Sequence, residues 1–282
     1  MSFTVGRISA SASGVTFRNP STLTRGRDKL YRMRRGDVAV LSISAALGAV
    51  VVAAVVVSVL VVDRPREPSR DAETNSNSSL LVVTWGPALC KVDPPNPGCR
   101  SGHVGSLGPA FILHGLWPQP PTQQFCGVPK GGRNPSLAEL KLPQDVQTDL
   151  QSMMSDAGVM APHEWSAHGT CSGLPPADYF TIATKLTEQV TAVLNPVFRN
   201  AEGGNVSLST VRGRFDAAFG AHTGDRVGMN CREAAGSGMI VYELHLSLPP
   251  VADLRSSSNA SLGELLDKGP TILAGCRRGL VS

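Results

Sequence analysis

A run of 25 residues without a single charge, Val38 to Val62, limits this chain more than any other stretch; it reads VAVLSISAALGAVVVAAVVVSVLVV between Asp37 and Asp63. As a helix it would be about 37 Å long, against a bilayer hydrocarbon core of about 30 Å. A buried core helix is rarely so long or so uniformly apolar, so residues 38–62 are expected to be one transmembrane helix in contact with lipid. The run is longer than the usual apolar part of a cleaved signal peptide, about 7 to 15 residues, and no small-x-small site closes it. An uncleaved signal anchor is therefore expected, with secretion after cleavage as the alternative. Residues 1–37 are polar and carry Arg7, Arg18, Arg25, Arg27, Lys29, Arg32, Arg34 and Arg35 against Asp28 and Asp37. They read as a disordered basic cytoplasmic tail, which places everything after the membrane outside. Residues 63–79, DRPREPSRDAETNSNSS, lack apolar periodicity and read as a flexible stalk.

Residues 80–282 then form one domain of ordinary size. All six cysteines lie in it, at Cys90, Cys99, Cys126, Cys171, Cys231 and Cys276. An even number beyond a membrane crossing suggests disulfides, and the absence of any CxxC pair argues against a zinc cluster. Spacing alone leaves 15 pairings open for six cysteines. The domain carries 15 Lys and Arg against 16 Asp and Glu, and the chain's net charge of +4 comes from residues 1–79, with 11 against 6. A broad electrostatic nucleic-acid footprint is thus excluded from the domain, and contacts with RNA should be local and assisted by stacking.

Periodicity gives the coarse fold. Tyr179, Ala183, Leu186, Val190 and Val193 recur at helical spacing up to Asn195-Pro196, expected to end that helix; Asp178 is a candidate N-cap. Leu208, Val211, Phe215, Ala218 and Phe219 suggest another helix. Ile240, Tyr242, Leu244, Leu246 and Leu248 alternate with Val241, Glu243, His245 and Ser247 as a half-buried strand. Strands and helices without a regular βαβ repeat or a Gly-rich phosphate loop indicate an α+β domain.

Two segments carry chemistry: His114-Gly115-Leu116-Trp117-Pro118, and His163-Glu164-Trp165-Ser166-Ala167-His168-Gly169-Thr170-Cys171. A zincin site is excluded, because its two histidines must be four apart on one helix face. Here they are five apart, which turns the second ring by roughly 140°. Glu164 and His168 are four apart, so on a helix the carboxylate can hold the ring or favour its cation. Phe111-Ile112-Leu113 reads as a buried strand delivering His114 at its C-terminal end, with Gly115 permitting a close turn. Pro162 suits the first turn of the helix bearing His163 to His168, and Gly169 its end.

With Leu81-Val82-Val83-Thr84-Trp85-Gly86-Pro87-Ala88-Leu89-Cys90 upstream, HGLWPQ and HEWSAHGTC resemble the active-site segments of the ribonuclease T2 family, in a bacterial-type, membrane-anchored or secreted form. The resemblance covers about residues 80–282 and is strongest from 81 to 171. It implies a ribonuclease T2-like fold, with a central mainly antiparallel sheet and flanking helices, here preceded by the one transmembrane helix. It pairs Cys126 with Cys171 and Cys231 with Cys276, leaving Cys90 with Cys99. It implies metal-independent cleavage of single-stranded RNA to 2′,3′-cyclic phosphate ends, with no cofactor, no metal and no obligate protein partner for a monomeric domain. His168 would be the base and His114 the acid, a pair that can be exchanged; His163 would bind phosphate and Glu164 support the transition state. Trp117, Gln119 and Phe125 would contact the base. The departure is Ala167, where most members carry Lys; its missing cation would have to come from Lys91, Arg100 or Lys130. His103, His222 and His245 match no motif and read as bystanders. A low-activity RNA-binding module and a metal-dependent hydrolase are the competing functions.

Overall fold

The computed structural model describes residues 76–130, 132–256 and 261–282. The expected tail, membrane span and all but the last few residues of the stalk lie outside them. Among the described residues no helix is long and apolar enough to cross a membrane.

The chain opens with strand β1 (Ser78–Trp85), two residues before the expected domain start. Its Leu81, Val82, Val83 and Trp85 are all fully buried, as β-branched and aromatic residues of an inner strand should be. Helix α1 (Gly86–Val92) and the single turns α2 (Pro97–Arg100) and α3 (His103–Ser106) lead to β2 (Phe111–Gln119). Then come α4 (Gln144–Met153), α5 (Ala157–Ala167), α6 (Pro176–Asn200), β3 (Asn205–Ser207) and α7 (Leu208–Phe219). Strands β4 (Val227–Ala234) and β5 (Gly238–Leu248) form a hairpin, followed by α8 (Val251–Ser256), α9 (Leu262–Lys268) and β6 (Arg278–Leu280).

The six strands make one mixed sheet in the order β2-β1-β5-β6-β3, with β4 also pairing with β5. Every pairing is antiparallel except β5 with β6. An α+β fold with a mainly antiparallel sheet is thus present. Strand β5 has β1 and β6 along one edge and β4 along the other, and from Ile240 on side chains of both its faces are buried. The half-buried strand expected from its alternation is therefore corrected: Val241 is fully buried, and Glu243 and Ser247 are 2% and 3% exposed.

The core gathers where α6 crosses the sheet. Trp85, Phe111 and Phe198 meet with ring centroids 4.5 to 5.2 Å apart, and the Trp85 indole N–H donates to the Ser282 carbonyl at 2.9 Å. Helix α6 does not end at Asn195-Pro196 but runs through Pro196 to Asn200. A proline inside a helix costs about 3 kcal/mol. Burial of Leu194 and Phe198, at about 1.5 to 3 kcal/mol each, offsets it, and the Asn195 side chain accepts the Phe111 N–H at 2.9 Å. All three disulfides, Cys90–Cys99, Cys126–Cys171 and Cys231–Cys276, are formed as the resemblance implied.

Candidate active site

His114 stands in the middle of β2, not at the end of a strand. The β1–β2 register shifts between Val82 and Val83, with Val82 opposite Gly115 and Val83 opposite Leu113, which leaves His114 as the extra residue of a β-bulge. A bulge re-aims one side chain relative to the pleat. The His114 ring thereby reaches Glu243 on β5, Nδ1 to Oε1 at 2.8 Å. The Thr84 hydroxyl donates to the same oxygen at 3.2 Å.

The second segment comes from α5, which begins earlier than expected. Asp156 is its N-cap, accepting the Val159 N–H at 3.2 Å, and Pro162 lies inside the helix instead of in its first turn. Glu164, Ser166 and Ala167 are the buried members of the last turn. His168 is the residue that ends the helix, its N–H donating to the Glu164 carbonyl at 2.9 Å; Gly169 opens a separate 3-10 turn, Gly169–Cys171. The four-residue spacing still brings Glu164 to His168, with Oε2 4.0 Å from Nε2.

Glu164 is the meeting point. Its Oε1 lies 3.7 Å from His114 Nε2, and its Oε2 accepts the Trp117 indole N–H at 2.8 Å. The space this needs comes from Gly115. A Cβ there would collide with Glu164 Oε2 and lie 2.5 Å from Trp117 Nε1. Trp117 is ringed by imidazoles: stacked on His168 at 5.1 Å, edge-on to His114 at 5.1 Å and to His245 at 6.0 Å. Its N–H and one face are committed within the protein, so its part in positioning the cluster is plain on the geometry.

Burial and charge drive the two principal histidines apart. For His114, burial lowers the pKa, but the Glu243 hydrogen bond and the charges of Glu164 and Glu243 outweigh it and hold the ring above its ordinary 6.5. For His168, burial and then the positive charges of His163 and His114 push the pKa down to about 4, and its buried Nδ1 has no hydrogen-bond partner among the described residues. Exposed His163 is also lowered, by burial and His114. Burial raises Glu164 to about 7 against the opposing pull of His114 and Trp117. Glu243 is penalised by burial yet held at about 2 by its bonds to His114 and His245. One cluster thus contains a ring that keeps its proton, a ring that sheds it, and a carboxyl poised between.

The remaining expected residues are placed as follows. Phe125 is exposed, with its N–H donating to the Ala167 carbonyl at 2.9 Å, so its loop borders α5 beside the Cys126–Cys171 bridge. Gln119 ends β2 and turns its amide back on the carbonyls of Trp117 and Pro118 at 3.4 and 3.3 Å. Ala167 is buried. Lys91, Arg100 and Lys130 make no hydrogen bond or ion pair with these groups among the described residues; the cation whose charge bears on His114 is Arg232. Among the described residues no set of three or more His, Cys, Asp or Glu side chains is disposed to hold a metal.

Sequence reasoning missed Glu243 and treated His245 as a bystander. The available signal was their spacing: two apart on a strand, they share one face, and they are the carboxylate and the imidazole in an otherwise largely apolar stretch.

The model of the ribonuclease T2 family matches residues 77–258. Ribonuclease MC of Momordica charantia is 27% identical over 167 residues, which is 53% of this chain and 78% of that protein. A ribonuclease of Aeromonas hydrophila is 28% identical over 109 residues, 39% of this chain and 44% of that protein. Among solved structures, ribonuclease MC1 from bitter gourd seeds superposes with a TM-score of 0.47 at 23% identity, covering 62% of this chain and 90% of its own. An RNase-related protein from Calystegia sepium gives 0.48 at 16% identity, covering 73% of this chain and 97% of that one.

Proposed function

Because this chain belongs to the ribonuclease T2 family, a family of endoribonucleases, we propose that it cleaves single-stranded RNA by metal-independent transphosphorylation, leaving 2′,3′-cyclic phosphate ends. The observation that carries the mechanism is the placing of His114 and His168 on either side of Glu164 with pKa values displaced in opposite senses.

His168, neutral above about pH 4, takes the proton of the ribose 2′-hydroxyl. The freed oxygen forms a bond to phosphorus, the bond from phosphorus to the 5′-oxygen breaks, and the imidazolium of His114 protonates that leaving oxygen. Nδ1 of His114 is engaged by Glu243, so Nε2 is the nitrogen that faces the site and delivers the proton. Each histidine ends in the protonation state the other began with, and exchange with water resets them. Glu164 is largely protonated below its pKa of about 7, and with Oε2 accepting from Trp117 its O–H can donate to a phosphorane oxygen as charge builds there. Exposed His163 is suited to the same phosphate. Trp117 and Gln119 on β2 and Phe125 in the loop after it are the candidates for base contact.

The three disulfides support a domain that matures in an oxidising compartment, consistent with residues 38–62 anchoring it in a membrane with its N-terminus in the cytoplasm. Buried, uncharged Ala167 favours the second reading, an RNA-binding member of low turnover. The deciding experiment is cleavage of a short RNA by the full-length chain in excess EDTA, beside His114→Ala and His168→Ala. Chelator-resistant cyclic-phosphate products lost in both variants support the mechanism. A folded wild-type protein no faster than its variants, with RNA affinity intact, favours the second reading.

A further inference from the structure

His245 is a bystander in the sequence and a neighbour of the reaction in the structure. It sits on β5 two residues from Glu243, on the same face, opposite Val82 on one side and the side-chain-free Gly228 on the other. Its Nε2 lies 3.4 Å from Glu243 Oε2, and its ring meets the Trp117 indole edge-on at 6.0 Å. Glu243 is therefore shared: Oε1 holds His114 and Oε2 holds His245. Among the described residues Nδ1 of His245 has no hydrogen-bond partner, and the side chain is 24% exposed, so this nitrogen is available to a ligand. Glu243 on its own strand is the charged group that touches it; His114 on β2 and, through His114, Glu164 on α5 lie one and two contacts further on, and Arg232 on β4 has its guanidinium 4.2 Å over the Tyr242 ring.

We propose that His245 is a fourth histidine of this site and binds a phosphate of the RNA substrate as a cation, supplying the positive charge that Ala167 does not. The assignment rests on the ribonuclease reading. Its physical basis is that one carboxylate anchors two rings: Glu243 orients His114 for proton delivery through Oε1 and holds a second imidazole at the rim through Oε2.

The test uses the full-length chain and four variants. His245→Ala should lower kcat/KM on a short RNA by about a hundred- to a thousandfold, the scale of one lost preorganised donor at a phosphorane. His245→Gln keeps a donor for Glu243 but carries no charge, so it should be equally slow. Ala167→Lys placed in the His245→Ala background should recover most of the loss, which a merely structural role for His245 would not allow. His114→Ala serves as the inactive reference. Independently of turnover, uridine 3′-phosphate should shift the imidazole resonances of His245 together with those of His114 and His163. Wild-type kcat/KM in His245→Ala, full activity in His245→Gln, or His245 resonances that stay fixed while the others move would each overturn the proposal. A wild-type protein indistinguishable from His114→Ala would instead sink the ribonuclease reading, and the nucleotide titration would still decide whether His245 binds phosphate.

Discussion

Replacing Glu164 by Gln should make the protein more stable and less active, and the stability gain should appear only as the pH rises. Glu164 is 1% exposed, and burial lifts its pKa from 4.5 to about 7. Because the folded pKa is raised, the folded state binds more protons than the unfolded one between these values. Stability is then fully present below the unfolded pKa and is lost as pH rises through the folded one. At 1.36 kcal/mol per unit the loss reaches about 3 kcal/mol. Gln does not titrate, and its amide oxygen can still accept the Trp117 N–H. The difference between variant and wild type should therefore widen in the variant's favour by about 3 kcal/mol between pH 4 and 8, or about 6 to 12 °C in Tm for a domain of this size. Any cost of housing the amide is independent of pH and cancels in that comparison. Urea unfolding with intact disulfides across this range measures it directly. Parallel curves for the two proteins would refute the reasoning, since they would mean that Glu164 ionises as readily inside the fold as outside. Cleavage should meanwhile fall by about a hundredfold, because Gln lacks the acidic O–H offered to the phosphorane.

Initial cleavage rates should rise with pH as His168 loses its proton at about 4 and fall above 6.5 as His114 loses its own, giving a mildly acidic optimum; a rate still climbing at pH 9 would contradict the assignment. Glu243→Gln should move the alkaline limb to lower pH and reduce kcat by about a hundredfold with little change in KM, read from full pH profiles, because the anion that keeps His114 protonated is gone. Gly115→Ala should break the Trp117–Glu164 hydrogen bond by steric overlap, costing about 1 to 3 kcal/mol in a denaturation assay and most of the activity.

The chemistry of α5 was legible because helical spacing is local: four residues between Glu164 and His168 fix their approach whatever surrounds them. The disulfides were equally legible once the motifs had suggested the family. What the sequence withheld was tertiary. Alternation along residues 240–248 says which side chains share a face, but not that β5 lies inside the sheet, where the polar positions must be satisfied and Glu243 finds Thr84, His114 and His245. The bulge at His114 has no proline or unusual turn to mark it; Gly115 beside it answers the bulk of Glu164 and Trp117, two residues that only the fold brings there. Helix boundaries failed for a related reason. Pro196 looks like a stop because its cost is local, whereas the burial of Leu194 and Phe198 that outweighs it is not.

The position of β5 also governs when during synthesis this molecule becomes dangerous to RNA. A nascent chain that has reached residue 237 already holds His114, His163, Glu164 and His168, yet it lacks the strand that must lie beside β1 before the sheet can close, and with it the carboxylate that fixes His114. The motifs emerge early and are inert. Competence arrives only when residues 238–248 dock between β1 and β4, so the order of elements along the chain keeps the motifs inert until well after they have been made.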